Sequence, residues 1–233
     1  MPILLALDAS SSACSAALLL QREGAEEQLV SRFALTPREH TRRLLPMVDE
    51  VLAEAGLTPA QLDAVAYGRG PGSFTGLRIA AGAAQGLAYG LDRPLLGVST
   101  LEALALAAHR RHDVERVVTA MDARMGEIYV AAWHCRNGSP EALLQEAVMP
   151  PQRLELPTAE LGEWYGIGSG WSLRELMPAE VRTAVSDYDA EAEPAAEELV
   201  RLAARDYAAG ARPAAHESQP IYLRDQVAWQ KGA

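Results

Sequence analysis

Residue types that mark several functional classes are scarce in this sequence. Its two cysteines, Cys14 and Cys135, are too few for a disulfide framework and are not spaced like metal ligands. No apolar run approaches the roughly 20 residues of a membrane-spanning helix. Lysine and arginine total 21 against 31 aspartates and glutamates, a net charge of −10. This balance disfavours nucleic acid as a direct, high-affinity partner, because phosphate neutralisation requires a concentrated basic surface.

The remaining composition is that of a globular protein. Hydrophobic residues make up 49% and charged residues 22% of the 233 positions, so the chain can bury a sizeable core. No basic region precedes the apolar run at the amino terminus, as it would in a secretory signal. We therefore expect a soluble, cytoplasmic protein with one large domain or two small ones.

The order of apolar runs and helix signals predicts two α/β lobes. Three strands and a helix at Arg38–Ala55 come first, and Thr36 to Glu39 matches a capping box at the start of that helix. These are followed by a strand, a glycine-rich loop and a helix at Phe74–Tyr89. A further strand and a helix capped by Ser99 come next. A second group of strands begins near residue 114.

We place the first lobe at residues 1–105 and the second at 106–193. The acidic stretch Asp187–Ala196 is predicted to be a linker. Residues 194–233 form a C-terminal helix and tail, which could return to brace the first lobe.

Two loops could contact a phosphate group. Asp8 ends the first strand and precedes Ser10 in a hydroxyl-rich turn, but this turn lacks the glycine that lets a backbone approach an anion. Gly72 and Ser73 precede a helix, whose N–H groups attract anions, yet no lysine follows as in a Walker loop. Both loops are more typical of structural turns, so these four residues are weak candidates for a nucleotide site.

The two helices of the first lobe carry the candidate partner-binding residues. Gly82 and Gly86 lie on one side of the second helix, and each costs about 1 kcal/mol in helix propensity relative to alanine. Such glycines indicate close packing by the second lobe or by a partner chain. The wide apolar stripe of the first helix fits either one sheet face or a face shared with a partner. The candidate residues are Leu45, Val48, Leu52, Ile79, Gly82 and Gly86.

Catalytic side-chain constellations are not evident. His109 and His112 are three residues apart, but they lie among charged residues at a helix end, where cations favour the helix dipole. A Ser/His/Asp triad stays open, although there is no nucleophile-elbow motif. We predict no catalytic residue and no metal site.

The segment Gly70-Pro71-Gly72-Ser73-Phe74-Thr75-Gly76-Leu77-Arg78 resembles the bacterial TsaB family, also called YeaZ. The resemblance extends to residues 4–10, 40–46, 98–104 and 122–129. It implies an actin-like, Hsp70-like (ASKHA) α/β fold of two lobes. It also implies a role in making threonylcarbamoyladenosine beside the tRNA anticodon, as partner of the related catalytic subunit TsaD and alongside the ATPase TsaE.

The catalytic relative differs from this sequence at its metal ligands. TsaD-like chains have two metal-binding histidines four residues apart, and the aligned positions here are Thr100 and Leu104. Neither side chain replaces imidazole as a transition-metal ligand. The resemblance therefore implies a catalytically silent subunit, and a metalloprotease function has no chemical basis.

An active actin-like ATPase or small-molecule kinase using Asp8 and Asp122 is the alternative. The missing glycine in the first turn disfavours it. We expect no cofactor in the isolated chain, while a nucleotide at the partner interface stays open. We also expect a homodimer when the chain is alone, tRNA contact only through the complex, and no membrane association.

Overall fold

The computed structural model describes residues 2–20, 27–157 and 163–224. Its first sheet has the strand order β3-β2-β1-β4-β5. Strands β1 and β2 are buried along nearly their whole length, as expected of continuous apolar runs covered on both faces. The first three strands are antiparallel, and β4 and β5 continue parallel to β1. The strands are β1 (Ile3–Asp8), β2 (Ala13–Leu20), β3 (Gln28–Leu35), β4 (Ala64–Gly70) and β5 (Leu95–Ser99).

The second sheet repeats this topology. Its order is β10-β9-β6-β7-β8, again with three antiparallel strands followed by two parallel ones. The two α/β lobes are therefore a duplicated actin-like unit, as the resemblance implies. The strands are β6 (Arg116–Arg124), β7 (Glu127–Arg136), β8 (Ser139–Met149), β9 (Tyr165–Ile167) and β10 (Asp187–Asp189).

Helices cover both faces of the first sheet. One face packs against α1 and α2, and the opposite face against α3 and α5. The other side of α3 packs on β6 and β7, so this helix lies between the two sheets. The predicted boundary between the lobes, at residues 105/106, falls inside α3. Within the described part of the chain, no helix combines the length and apolarity needed to cross a bilayer. The helices are α1 (His40–Glu54), α2 (Phe74–Leu91), α3 (Thr100–His112), α4 (Ala179–Ala184) and α5 (Ala196–Ala208).

Two local predictions are wrong. Helix α1 begins at His40, and Thr36 does not cap it, because the Thr36 N–H donates to the Ser12 carbonyl at 3.1 Å and Arg38 has a φ of +70°. The stretch predicted as a linker contains β10, which pairs with β9 in parallel, and the first residue of α5. Long-range pairing therefore overrides the local composition in both places.

The C-terminal region packs against the first lobe. Leu199 and Val200 of α5 are fully buried beside Leu4 and Ala6 of β1. The following segment continues along the same lobe, where the Leu95 N–H donates to the carbonyl of Pro213 at 3.0 Å. Residues 225–233, the end of the predicted C-terminal tail, lie outside the described residues.

Candidate functional site

The four weak nucleotide candidates lie together at the end of β1. The amide and hydroxyl of Ser10 donate to Asp8 Oδ2 at 3.2 and 2.9 Å. The Ser73 N–H donates to the Ser10 carbonyl at 2.6 Å, and a Cβ on Gly72 would collide with that same carbonyl. The loop before α2 therefore packs directly on the β1–β2 turn. A helix-start N–H that a phosphate could use is bonded to protein instead.

Asp8 is a fully buried carboxyl group. Desolvation by burial raises the pKa of Asp8 to about 7. The charge of Glu193 also raises this pKa, whereas the hydrogen bonds from Ser10 lower it. Its Oδ1 has no hydrogen-bond partner among the described residues, and a Cβ on Gly68 would collide with it. Burial therefore favours the uncharged form of Asp8, which is less suited than a carboxylate to hold a metal ion.

Asp122, the second carboxylate of the alternative function, is engaged by its own turn. Its Oδ1 accepts the Arg124 N–H at 2.7 Å, and its Oδ2 pairs with the Arg124 guanidinium at 3.0 Å. The Asp122 N–H donates to Ser169 Oγ at 3.1 Å. This arrangement stabilises the β6–β7 turn.

A cavity of about 310 Å³ lies between β3, α3 and the segment before α5. None of the four nucleotide candidates, nor Asp122, is among the residues that line it. Its walls carry mixed charge, including Arg32, Arg111, Asp189, Glu191 and Glu193.

Thr100 and Leu104, the two positions that the resemblance aligns with metal-binding histidines, hold packed side chains. The Thr100 hydroxyl donates to the Pro71 carbonyl and ties α3 to the loop before α2. Leu104 is fully buried in the core between α3 and the second sheet. His109 and His112 bond to separate partners, the Val114 carbonyl and the Tyr165 hydroxyl. In residues 2–20, 27–157 and 163–224 there is no group of three His, Cys, Asp or Glu residues placed to hold a metal.

Both cysteines are structural. Cys14 and Cys135 are buried and free of disulfides. Desolvation raises the pKa of Cys14 to about 11 and that of Cys135 to about 12. Neither thiol therefore has the thiolate character of a nucleophile at neutral pH.

The glycine face of α2, defined by Gly82 and Gly86, is open. A Cβ at either position would meet nothing within 4 Å. The sequence analysis left either the second lobe or a partner chain to pack on these glycines. In the described chain, the second lobe does not lie against them. Leu45 of α1 is 48% exposed, and Ile79 is partly buried against the first-lobe core.

Two of the predicted partner-binding residues are not on an exposed surface. Val48 and Leu52 are only 3% and 4% exposed, and both belong to the core formed by α1, α2 and the first sheet. These two partner-binding candidates are therefore corrected to core residues, because the sheet covers most of the wide apolar stripe of α1.

Sequence analysis also missed a surface cluster at the start of α2. The Arg78 guanidinium lies over the Phe74 ring at 3.7 Å from its centroid, and Arg78 Nε donates to the Tyr222 hydroxyl at 3.2 Å. Phe74 and Tyr222 are 56% and 42% exposed. The i, i+4 spacing of Phe74 and Arg78 was a usable signal, whereas the distant Tyr222 gave none.

Comparisons with known proteins agree with the duplicated fold. The family described as TsaD, tRNA N6-adenosine threonylcarbamoyltransferase, matches residues 34–231. The Escherichia coli (strain K12) tRNA threonylcarbamoyladenosine biosynthesis protein TsaB is 41% identical over 98% of this chain and 97% of its own length. The Haemophilus influenzae protein of the same name is 44% identical over 72% of each chain.

A solved structure, YeaZ from Pseudomonas aeruginosa, superposes with a TM-score of 0.88. It is 44% identical and covers 96% of this chain and 100% of its own. With nearly full-length relatives of one name and a matching structure, the chain belongs to the TsaB (YeaZ) family of tRNA threonylcarbamoyladenosine biosynthesis proteins.

Proposed function

We propose that this chain is a non-catalytic subunit that binds the catalytic TsaD subunit. In this role it supports formation of threonylcarbamoyladenosine beside the anticodon of tRNA, in the cytoplasm. TsaE joins through the complex, and tRNA is bound only through the complex. The net charge of −10 supports that division, because RNA phosphates attract basic surfaces.

The open glycine face of α2 is the observation that carries the proposal. Two interior glycines cost helix stability, at about 1 kcal/mol each relative to alanine, and no atom within the described chain uses the space they leave. A missing side chain lets another helix approach the backbone closely. TsaD is a related chain, so a helix pair from each subunit can form a four-helix contact.

Several features support a silent role in catalysis. Thr100 and Leu104 replace the histidine pair and are committed to packing. Asp8 is buried with a raised pKa, and the loop that would receive phosphate contacts the β1–β2 turn. The residues that could have taken part in catalysis are therefore engaged in structural contacts. A nucleotide bound between the two subunits is compatible with the proposal.

Reconstitution tests this function. Threonylcarbamoyladenosine in tRNA is quantified by nucleoside mass spectrometry, with TsaD, TsaE and the other pathway enzymes present and this chain either added or omitted. We expect formation to require both this chain and TsaD, and the chain alone to release phosphate from ATP only at background. ATP turnover by the chain alone that is lost in Asp8→Ala would instead establish the kinase alternative.

A further inference from the structure

A cluster of two aromatic rings and one arginine lies at the N-terminal end of α2. The Arg78 guanidinium stacks on Phe74 and lies 5.8 Å from the Tyr222 ring centroid, and the two ring centroids are 5.5 Å apart. We call Phe74, Arg78 and Tyr222 the Arg78 cluster. All three side chains are exposed to solvent.

The tail fixes the position of Tyr222 on both sides. The Ile221 N–H donates to the Arg69 carbonyl at 2.7 Å, and Gln85 Nε2 donates to the Ser218 carbonyl at 2.7 Å. Beyond Tyr222, Arg224 pairs with Glu127 of the second lobe. The hydroxyl that orients Arg78 is therefore held in place before any partner arrives, which lowers the entropic cost of binding.

Arg78 differs from two nearby arginines in its ion pairing. Arg69 pairs with Glu146, and Arg224 pairs with Glu127. In the part of the chain that the structure describes, Arg78 forms no ion pair, and its one hydrogen bond uses Nε. The two Nη groups are the fork that binds a carboxylate in bidentate fashion, and stacking on an aromatic ring desolvates one side of it.

The cluster is continuous with the glycine face. Phe74, Arg78, Gly82 and Gly86 are four residues apart, so they form one ridge of the i±4n type along α2. A chain that packs on the glycines would therefore reach the Arg78 cluster. Tyrosine and arginine are also among the residues that contribute most to binding energy at protein interfaces.

We propose that the Arg78 cluster is an anchor for the TsaD subunit, in which Arg78 pairs with an Asp or Glu side chain of that subunit. The proposal rests on the proposed function, because it names a contact within the same interface. Phe74 and Tyr222 position the guanidinium, and the C-terminal segment around Tyr222 becomes part of the binding surface.

Calorimetric titration of the full chain with its cognate TsaD tests the anchor, at about 50 mM and about 300 mM salt. We expect Arg78→Gln to weaken binding by about tenfold or more at low salt and to reduce its salt dependence. Tyr222→Phe keeps the ring but removes the hydroxyl, and we expect a loss of about two- to fivefold. Arg153→Gln, at an exposed arginine of the second lobe, is the matched control and should bind like the wild type.

The outcomes separate this inference from the function on which it rests. If the wild type binds TsaD, Gly86→Leu does not, and a folded Arg78→Gln binds normally, the anchor is overturned and the proposed function stands. If the wild type fails to bind, both are overturned. Altered homodimer affinity or altered tRNA binding by the complex, with TsaD affinity unchanged, would assign the cluster to a second copy or to RNA and also overturn the anchor.

Discussion

Asp8 gives the chain a pH-dependent stability at the scale of a single residue. Its pKa of about 7 in the fold is above the ordinary value of 3.8, so the folded state binds a proton that the unfolded state releases. The contribution of Asp8 to the free energy of unfolding therefore falls as the pH rises from about 4 to about 7, and it levels off above that range.

Asp8→Asn should remove this contribution. At about pH 8 we expect the variant to be more stable than the wild type, by up to a few kcal/mol at about 1.4 kcal/mol per pKa unit. Near pH 4 the advantage should be largely gone. Urea unfolding across this pH range measures the difference, and parallel pH profiles of the two proteins would contradict the raised pKa.

Two glycines of the first lobe should respond oppositely to alanine. In Gly68→Ala the new Cβ collides with Asp8 Oδ1 and lies 3.2 Å from Thr100 Cγ2, so we expect a loss of about 2 kcal/mol or more. In Gly82→Ala the Cβ meets no atom within 4 Å, so we expect a gain of about 0.5–1 kcal/mol. Denaturant titration of both variants decides, and an unchanged Gly68→Ala midpoint would contradict the close contact.

Whole elements show which parts of the fold a sequence can predict. The first three strands and the start of α2 at Phe74 match their predictions, because apolar runs and the glycine-rich loop before α2 are local signals. The predicted start of α1 was wrong, and strand β10 was missed. Each depends on a distant partner, Ser12 in the first case and β9 in the second.

The candidate partner surface was predictable in the same limited way. Helical periodicity placed Gly82 and Gly86 together on one side of α2, whereas the absence of any neighbour in the described chain came from the structure. The width of the α1 stripe did not show how much of it the sheet would cover, so Val48 and Leu52 were included among the partner-binding candidates although the fold buries them. Tyr222 is separated from Arg78 by 144 positions, and no local pattern could connect them.

The N-terminal cap of α2 allows a test at the scale of the element. Ser73 Oγ accepts the Gly76 N–H at 3.3 Å, so Ser73→Ala should lower the free energy of unfolding by about 1 kcal/mol. TsaD binding should persist, because the Ser73 N–H still holds the loop on the Ser10 carbonyl. Denaturant titration combined with a binding assay checks both expectations, and lost binding in a folded variant would refute the structural role.

At the scale of the whole molecule, the outer surface of helices α1 and α2, here called the α1–α2 face, is exposed when no partner covers it. Leu45 and Tyr89 on these helices are 48% and 80% exposed. Extended apolar patches are unusual on monomers, and a helix pair can pack on its own copy about a twofold axis. We therefore predict a homodimer in isolation that Gly86→Leu converts to a monomer. Light scattering that shows a wild-type monomer at high micromolar concentration would refute this.

The affinity of cognate TsaD for Gly86→Leu tests the central claim most directly. The new side chain enters open space, so the thermal midpoint should stay within a few degrees of the wild type. Ala208→Leu places the same side chain at an exposed position of α5, on the other side of the first sheet, and serves as the control. The account predicts that Gly86→Leu abolishes TsaD binding while Ala208→Leu keeps it. A folded Gly86→Leu that binds TsaD with wild-type affinity would contradict the account and place the partner surface elsewhere.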